Sequence, residues 1–212
     1  MTIIIVAIVL ILVIVIPVWL LGAGLLYASA KLKAPYFLLL LAGLVLLPYG
    51  GYKALEYRWQ MQAVPDALHV TSLSYSQEEA WGFGPGGNEA GFRAYPLPDD
   101  VAAQITQRGM AFFDKMPPNA NQISRSWRGQ YTHWKATPIK PGDDGWTLKD
   151  DGSALDVHDY VHKYVCCIEI DAKLRQQANA IVNSPGSYYA KGRIGIIVVS
   201  PQHSLVLYLY NG

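Results

Sequence analysis

From Ile3 to Ile16 the chain reads IIIVAIVLILVIVI, thirteen Ile, Val or Leu residues and one Ala, and no charged side chain follows until Lys31. At mid-bilayer each such residue favours insertion, so those thirteen supply roughly −4 to −8 kcal/mol before the rest of the run is counted. A second apolar run, Tyr36 to Tyr52 (YFLLLLAGLVLLPYGGY), is separated from the first by Ser29-Ala-Lys-Leu-Lys-Ala-Pro35. With its flanking alanines it is long enough to cross a hydrocarbon core. The pair reads as a transmembrane helical hairpin with helices over about 3–27 and 35–54. Trp19, Tyr27, Tyr49, Tyr52, Tyr57 and Trp59 then fall near the two interfaces, where amphipathic rings prefer to lie.

The charge distribution makes the same division. Only four of the 17 Lys and Arg residues and one of the 16 acids precede residue 65, leaving 13 and 15 in the remainder. A single soluble globule is excluded by that split. So is a polytopic transporter, because nothing after about residue 55 stays apolar long enough to span. The near-neutral balance argues against a nucleic-acid partner.

Ala28-Ser29-Ala30 has the letters of a signal-peptidase site, but the N-terminus lacks a basic n-region and the apolar run exceeds an ordinary h-region, so the segment is expected to stay attached. Neither run holds an ionisable residue, so anchorage is its role, with no ion or proton path. Gly22, Gly24, Ala42 and Gly43 permit close helix approach. The connecting loop has Lys31 and Lys33 and no acid, which places it in the cytoplasm and residues 60–212 in the periplasm, at the inner membrane of a Gram-negative cell. Cys166 and Cys167 are adjacent and read as two free thiols.

With 58–64 as linker, residues 65–212 are enough for one soluble domain. Pro98-Asp99-Asp100 opens a 3.6-residue stripe (Val101, Ile105, Phe112) that Pro117-Pro118 stops, and Asp171 caps a second stripe (Leu174, Ala178, Ile181, Val182). Strands are expected over 68–75, 127–139, 160–170, 194–200 and 205–210, the last two forming a hairpin through Pro201-Gln202-His203 at the middle of the sheet. The fold class is therefore α+β: an N-terminal two-helix transmembrane hairpin, then one domain with a largely antiparallel sheet and two or more helices.

His158, His162 and Cys166 recur at i, i+4 and i+8. On a helix the two imidazoles share one face and lie close enough for a zinc ion; on a strand they stand about 13 Å apart and cannot. The β-branched and aromatic residues of YVHKYVCCIEI favour the strand, so no metal and no cofactor is expected. Gly82-Phe-Gly-Pro-Gly-Gly87 spells a dinucleotide fingerprint but is not followed by a helix, so it reads as a loop. That loop carries Trp81 and Phe83 beside Glu89, and a basic block carries Arg125, Trp127 and Arg128; these six are the candidate partner-binding residues. Asp143-Asp-Gly145 and Asp150-Asp-Gly152 read as tight turns, because the alternating ligands of a calcium loop are missing.

No nucleophile elbow, phosphate loop or HExxH is present, so the chain is read as non-enzymatic. In layout, a short membrane anchor and one compact domain without a catalytic motif, it resembles the membrane-anchored immunity proteins of contact-dependent antibacterial systems, including those paired with type VI secretion effectors. The resemblance covers the whole architecture and no motif, so no functional residue is carried over. It implies a protein that binds a cognate toxin at or near the membrane and neutralises it. The alternatives are an accessory subunit of another envelope complex, or an anchored hydrolase built from His133, His158, Asp159 and His162.

Overall fold

The computed structural model describes residues 15–80, 89–147, 152–163 and 168–211. The chain divides into two compact units, one ending at Glu56 and one running from Tyr57 to Gly212.

The first unit is helical. Helix α1 spans Ile16–Lys31, with Pro17 in its first turn, where a missing N–H costs nothing, and Lys31 in its last. It stops at Leu32, which turns extended while its N–H still reaches the Ala28 carbonyl at 2.8 Å. Helix α2 spans Ala34–Met61 and is long and apolar enough to cross a membrane, by length and composition. Neither helix has a buried residue, so Leu38, Leu39, Val45 and Leu47 lie bare. The described part of α1 is a shorter apolar helix, and residues 3–14 of the expected first span lie outside the described residues.

α2 runs seven residues beyond the expected end at 54 and absorbs Arg58–Met61 of the expected linker. Helix formers continue through Lys-Ala-Leu-Glu, with Lys53 and Glu56 paired at 2.7 Å one turn apart. The rest of that segment is not a free tether either, since Ala63 and Val64 are buried in the second unit's core.

The second unit is an α+β domain around a six-stranded antiparallel sheet in the order β1-β2-β6-β5-β4-β3. The strands are β1 Tyr75–Ala80, β2 Glu89–Pro96, β3 Thr132–Ala136, β4 Tyr188–Lys191, β5 Gly195–Ser200 and β6 Leu205–Asn211. The expected β5–β6 hairpin is present at the centre, with every residue of β5 buried. Helices cover both faces. On one, Phe92, Ile196, Val198, Leu207 and Leu209 pack with helix α6 (Val157–Val161) and helix α7 (Ala172–Asn183). On the other, Tyr95, Ile197, Val199, Val206 and Tyr208 pack with helix α3 (Asp99–Arg108) and helix α4 (Met110–Asp114). The unbroken apolar run Ile196–Val199 follows from this double cover.

Several expected elements differ. The stripe from Asp99 to Phe113 is two helices, because Gly109 at φ +57°, ψ −136° cannot continue a helix. Residues 66–68 form a 3₁₀ turn, and the strand expected at 68–75 starts only at Tyr75. The long strand expected at 127–139 shortens to β3, preceded by the single-turn helix α5, Gln122–Arg125. The strand expected from Tyr160 opens as helix instead: the Asp156 carboxylate accepts from the His158 N–H and caps α6.

Candidate functional site

Helix α6 brings His158 and His162 together, as a helix requires and a strand would not. Their rings stack with centroids 3.7 Å apart and planes at 20°. His162 Nε2 lies 2.6 Å from the Ile168 carbonyl, which can only accept, so that nitrogen carries its proton and is not free to ligate. Among the described residues no group of three His, Cys, Asp or Glu side chains is placed to hold a metal ion. Cys166, the proposed third ligand, lies outside the described residues. The cap Asp156 is gripped by Arg175, Nε at 3.0 Å and Nη2 in a second contact, as an inter-helix clasp. Burial, His162 and Arg175 all push the His158 imidazole below its ordinary value.

The residues of the hydrolase alternative are not gathered. His133, at φ +57°, lines a cleft on the face of Phe113 and Trp134, whereas α6 packs on the opposite face of the sheet. A different Ser–His contact was missed by sequence reasoning: Ser200 Oγ and His203 Nδ1 are 2.8 Å apart, and Ser187 donates to Ser200 at 2.9 Å. Ser200 is only 1% exposed, so this hydroxyl chain closes the β5 end and offers no reachable nucleophile.

Of the six candidate partner-binding residues, Trp81 and Phe83 lie outside the described residues, in the connection between β1 and β2. Arg125 is a correction. It is 5% exposed, ion-paired to Asp66 and hydrogen-bonded to the carbonyls of Gln62 and Val64, so it holds the domain together from inside. Glu89 is half-buried; burial first, then the charge of Glu78, pushes its carboxyl up, while Arg93 and Arg128 oppose the shift. Trp127 and Arg128 stack on each other, the guanidinium 4.9 Å from the ring centroid.

Beneath Glu89 the sheet carries a polar network that no motif announced. Arg93 pairs with Glu78 and lies 4.7 Å from the Tyr210 ring centroid, and the Tyr210 hydroxyl donates to Glu78 at 2.6 Å. Burial works against the guanidinium charge, yet Tyr210, Tyr95 and Glu78 around it hold it more firmly protonated than usual. Gly91 makes room for this arrangement, since a Cβ there would lie 2.4 Å from the Tyr210 oxygen. Arg93 Nε and Glu79 Oε2 are buried without a partner among the described residues.

A cleft of about 500 Å³ is lined by Phe113, Met116, Pro117, Pro118, Tyr131 and Trp134 among others. Its floor is aromatic: Phe113 stacks on Trp134 at 4.2 Å and tilts against Tyr188 at 4.9 Å. Among the described residues the buried Trp134 indole N–H has no partner. The Tyr131 hydroxyl donates to the Ala63 carbonyl at 2.8 Å, and burial pushes that phenol well above its ordinary value. Polar side chains share the lining: Asp114, Asn119, Gln122, Gln130, Thr132 and His133 border the same cleft. No protein-family model matches the chain, and no curated protein or solved structure matches it.

Proposed function

We propose that this chain is a non-catalytic, membrane-anchored binding protein, and that it acts as an immunity protein that binds and neutralises a cognate antibacterial toxin at the membrane or in the periplasm. The observation that carries the reading is α2, a 28-residue apolar helix with no residue buried. Apolar surface on that scale needs lipid or protein to cover it. On this reading α1, extended by the apolar residues before it, and α2 form a transmembrane hairpin. The Leu32-Lys33 connection is cytoplasmic and the domain faces the periplasm. The aromatic-floored cleft and the end of β2 bearing Glu89 are the surfaces offered to the toxin.

The test is genetic. Deletion of this chain alone should arrest growth, and loss of one linked gene encoding a secreted toxin should restore it. Growth unaffected by the deletion in cells that produce such a toxin contradicts the reading. Two other outcomes point elsewhere: a stable envelope assembly co-purifying from toxin-free cells identifies an accessory subunit, and a turnover abolished by His158→Ala or His162→Ala identifies an enzyme.

A further inference from the structure

The last turn of α2 belongs to the domain, and it brings an aromatic side chain to two arginines from distant parts of the sequence. Arg128 lies 5.9 Å from the Trp59 ring centroid and 4.9 Å from that of Trp127, and Arg193 lies 5.9 Å from the same Trp127 centroid. The result is a ladder, Trp59–Arg128–Trp127–Arg193, built from a helix end, the loop before β3 and the turn between β4 and β5. Trp59 and Arg193 are exposed, Trp127 and Arg128 half-exposed, and the neighbouring Arg58 is exposed. Among the described residues none of these three arginines forms an ion pair. Glu89 is an acid close enough to interact with Arg128.

Position and chemistry agree. Trp59 follows Ala54, the last residue of the expected span, by only five residues of chain, so on the anchoring reading it stays close to the headgroup layer. Indole rings favour that layer, and a guanidinium stacked on indole keeps its fork of donors free for a phosphate while its flat face stays out of water.

We propose that Trp59, Trp127, Arg128 and Arg193 form a binding surface for the phosphates of anionic phospholipid headgroups, seating the domain on the bilayer surface. This deepens the anchoring reading and rests on α2 spanning the membrane. The sequence offered Trp127 and Arg128 to a protein; the ladder assigns them to lipid.

Full-length protein is reconstituted in nanodiscs of phosphatidylcholine alone or mixed with phosphatidylglycerol, and amide hydrogen exchange is followed at 125–130 and 192–195. Exchange there should slow several-fold in the anionic discs. The difference should vanish in an Arg128→Gln, Arg193→Gln variant whose domain melts as the parent does. Equal exchange in both lipids, or a variant that keeps the difference, overturns the proposal. So does inorganic phosphate reproducing the protection in phosphatidylcholine discs, which makes the site a general phosphate site. A chain retained in neither disc overturns the anchoring reading itself, and the proposal with it.

Discussion

Arg125 holds Asp66 in an ion pair across 59 residues of chain, and the same guanidinium takes the carbonyls of Gln62 at 3.1 Å and Val64 at 2.9 Å. It thereby ties the segment that leaves α2 to the body of the domain. Tyr95 and Tyr131 repeat the device, their hydroxyls donating to the Gln60 and Ala63 carbonyls at 2.8 Å. What the sequence presents as a linker is folded structure.

Removing Arg125 takes the donor from one buried carbonyl, Val64, and one part-buried carbonyl, Gln62. Arg125→Ala is expected to destabilise the domain by about 2–3 kcal/mol. Asp66→Asn should cost about 1 kcal/mol or less, because Asp66 is 49% exposed and water replaces the lost charge. Denaturant melts of the two variants, followed by near-ultraviolet circular dichroism, check the order. Equal losses would mean that the ion pair, and not the carbonyl contacts, is the working part.

The clasp on α6 makes stability depend on pH in two windows. His158 is a base whose folded pKa lies below its unfolded value, so the unfolded chain takes up the proton more readily. Stability is full above the unfolded value and falls as pH drops through and below it, toward the folded one. Asp156 is lowered to about 2; burial opposes its charge, but Arg175, the His158 N–H and Asn179 more than compensate. Its contribution is present above the ordinary carboxylate range and is lost as pH falls toward 2. His158→Gln should flatten the upper window and leave the lower one, while Asp156→Asn should do the reverse. Melting temperatures across the acid range read both, and an upper window unchanged in His158→Gln refutes the assignment.

Gly91 faces Tyr210 across the β2–β6 ladder, and the phenol fills the space that a side chain at 91 would need. Gly91→Ala drives a methyl into the phenol and is expected to cost about 1–3 kcal/mol. Combined with Tyr210→Leu, which vacates the site, the penalty for Gly91→Ala should largely disappear. A double-mutant cycle that comes out additive contradicts the close approach.

How much of this was legible in the sequence depends on whether the signal was local. The stripes after Asp99 and Asp171 and the apolar runs 194–200 and 205–210 are periodic over several residues, and each lies where the pattern put it, apart from the break at Gly109. α6 differs from the expected strand because Val and Tyr favour strands as isolated residues, whereas the Asp156 cap and the Arg175 clasp, the latter from 19 residues away, decide for helix. β4 has only four residues and owes its place to pairing with β5 and β3. The candidate surface was half legible. Trp127 and Arg128 could be suspected from composition, but their stacking with Trp59 and Arg193 is created by the fold. Arg125 looked like its neighbours in the basic block, and only burial separates it from them.

On the proposed reading, lipid covers the apolar helices. Membranes from cells producing the full-length, untagged chain are washed with alkaline carbonate and the washed pellet is dissolved in detergent. The intact chain should remain in the pellet through the wash and be released only by detergent; recovery of the intact chain in the carbonate supernatant would contradict the account.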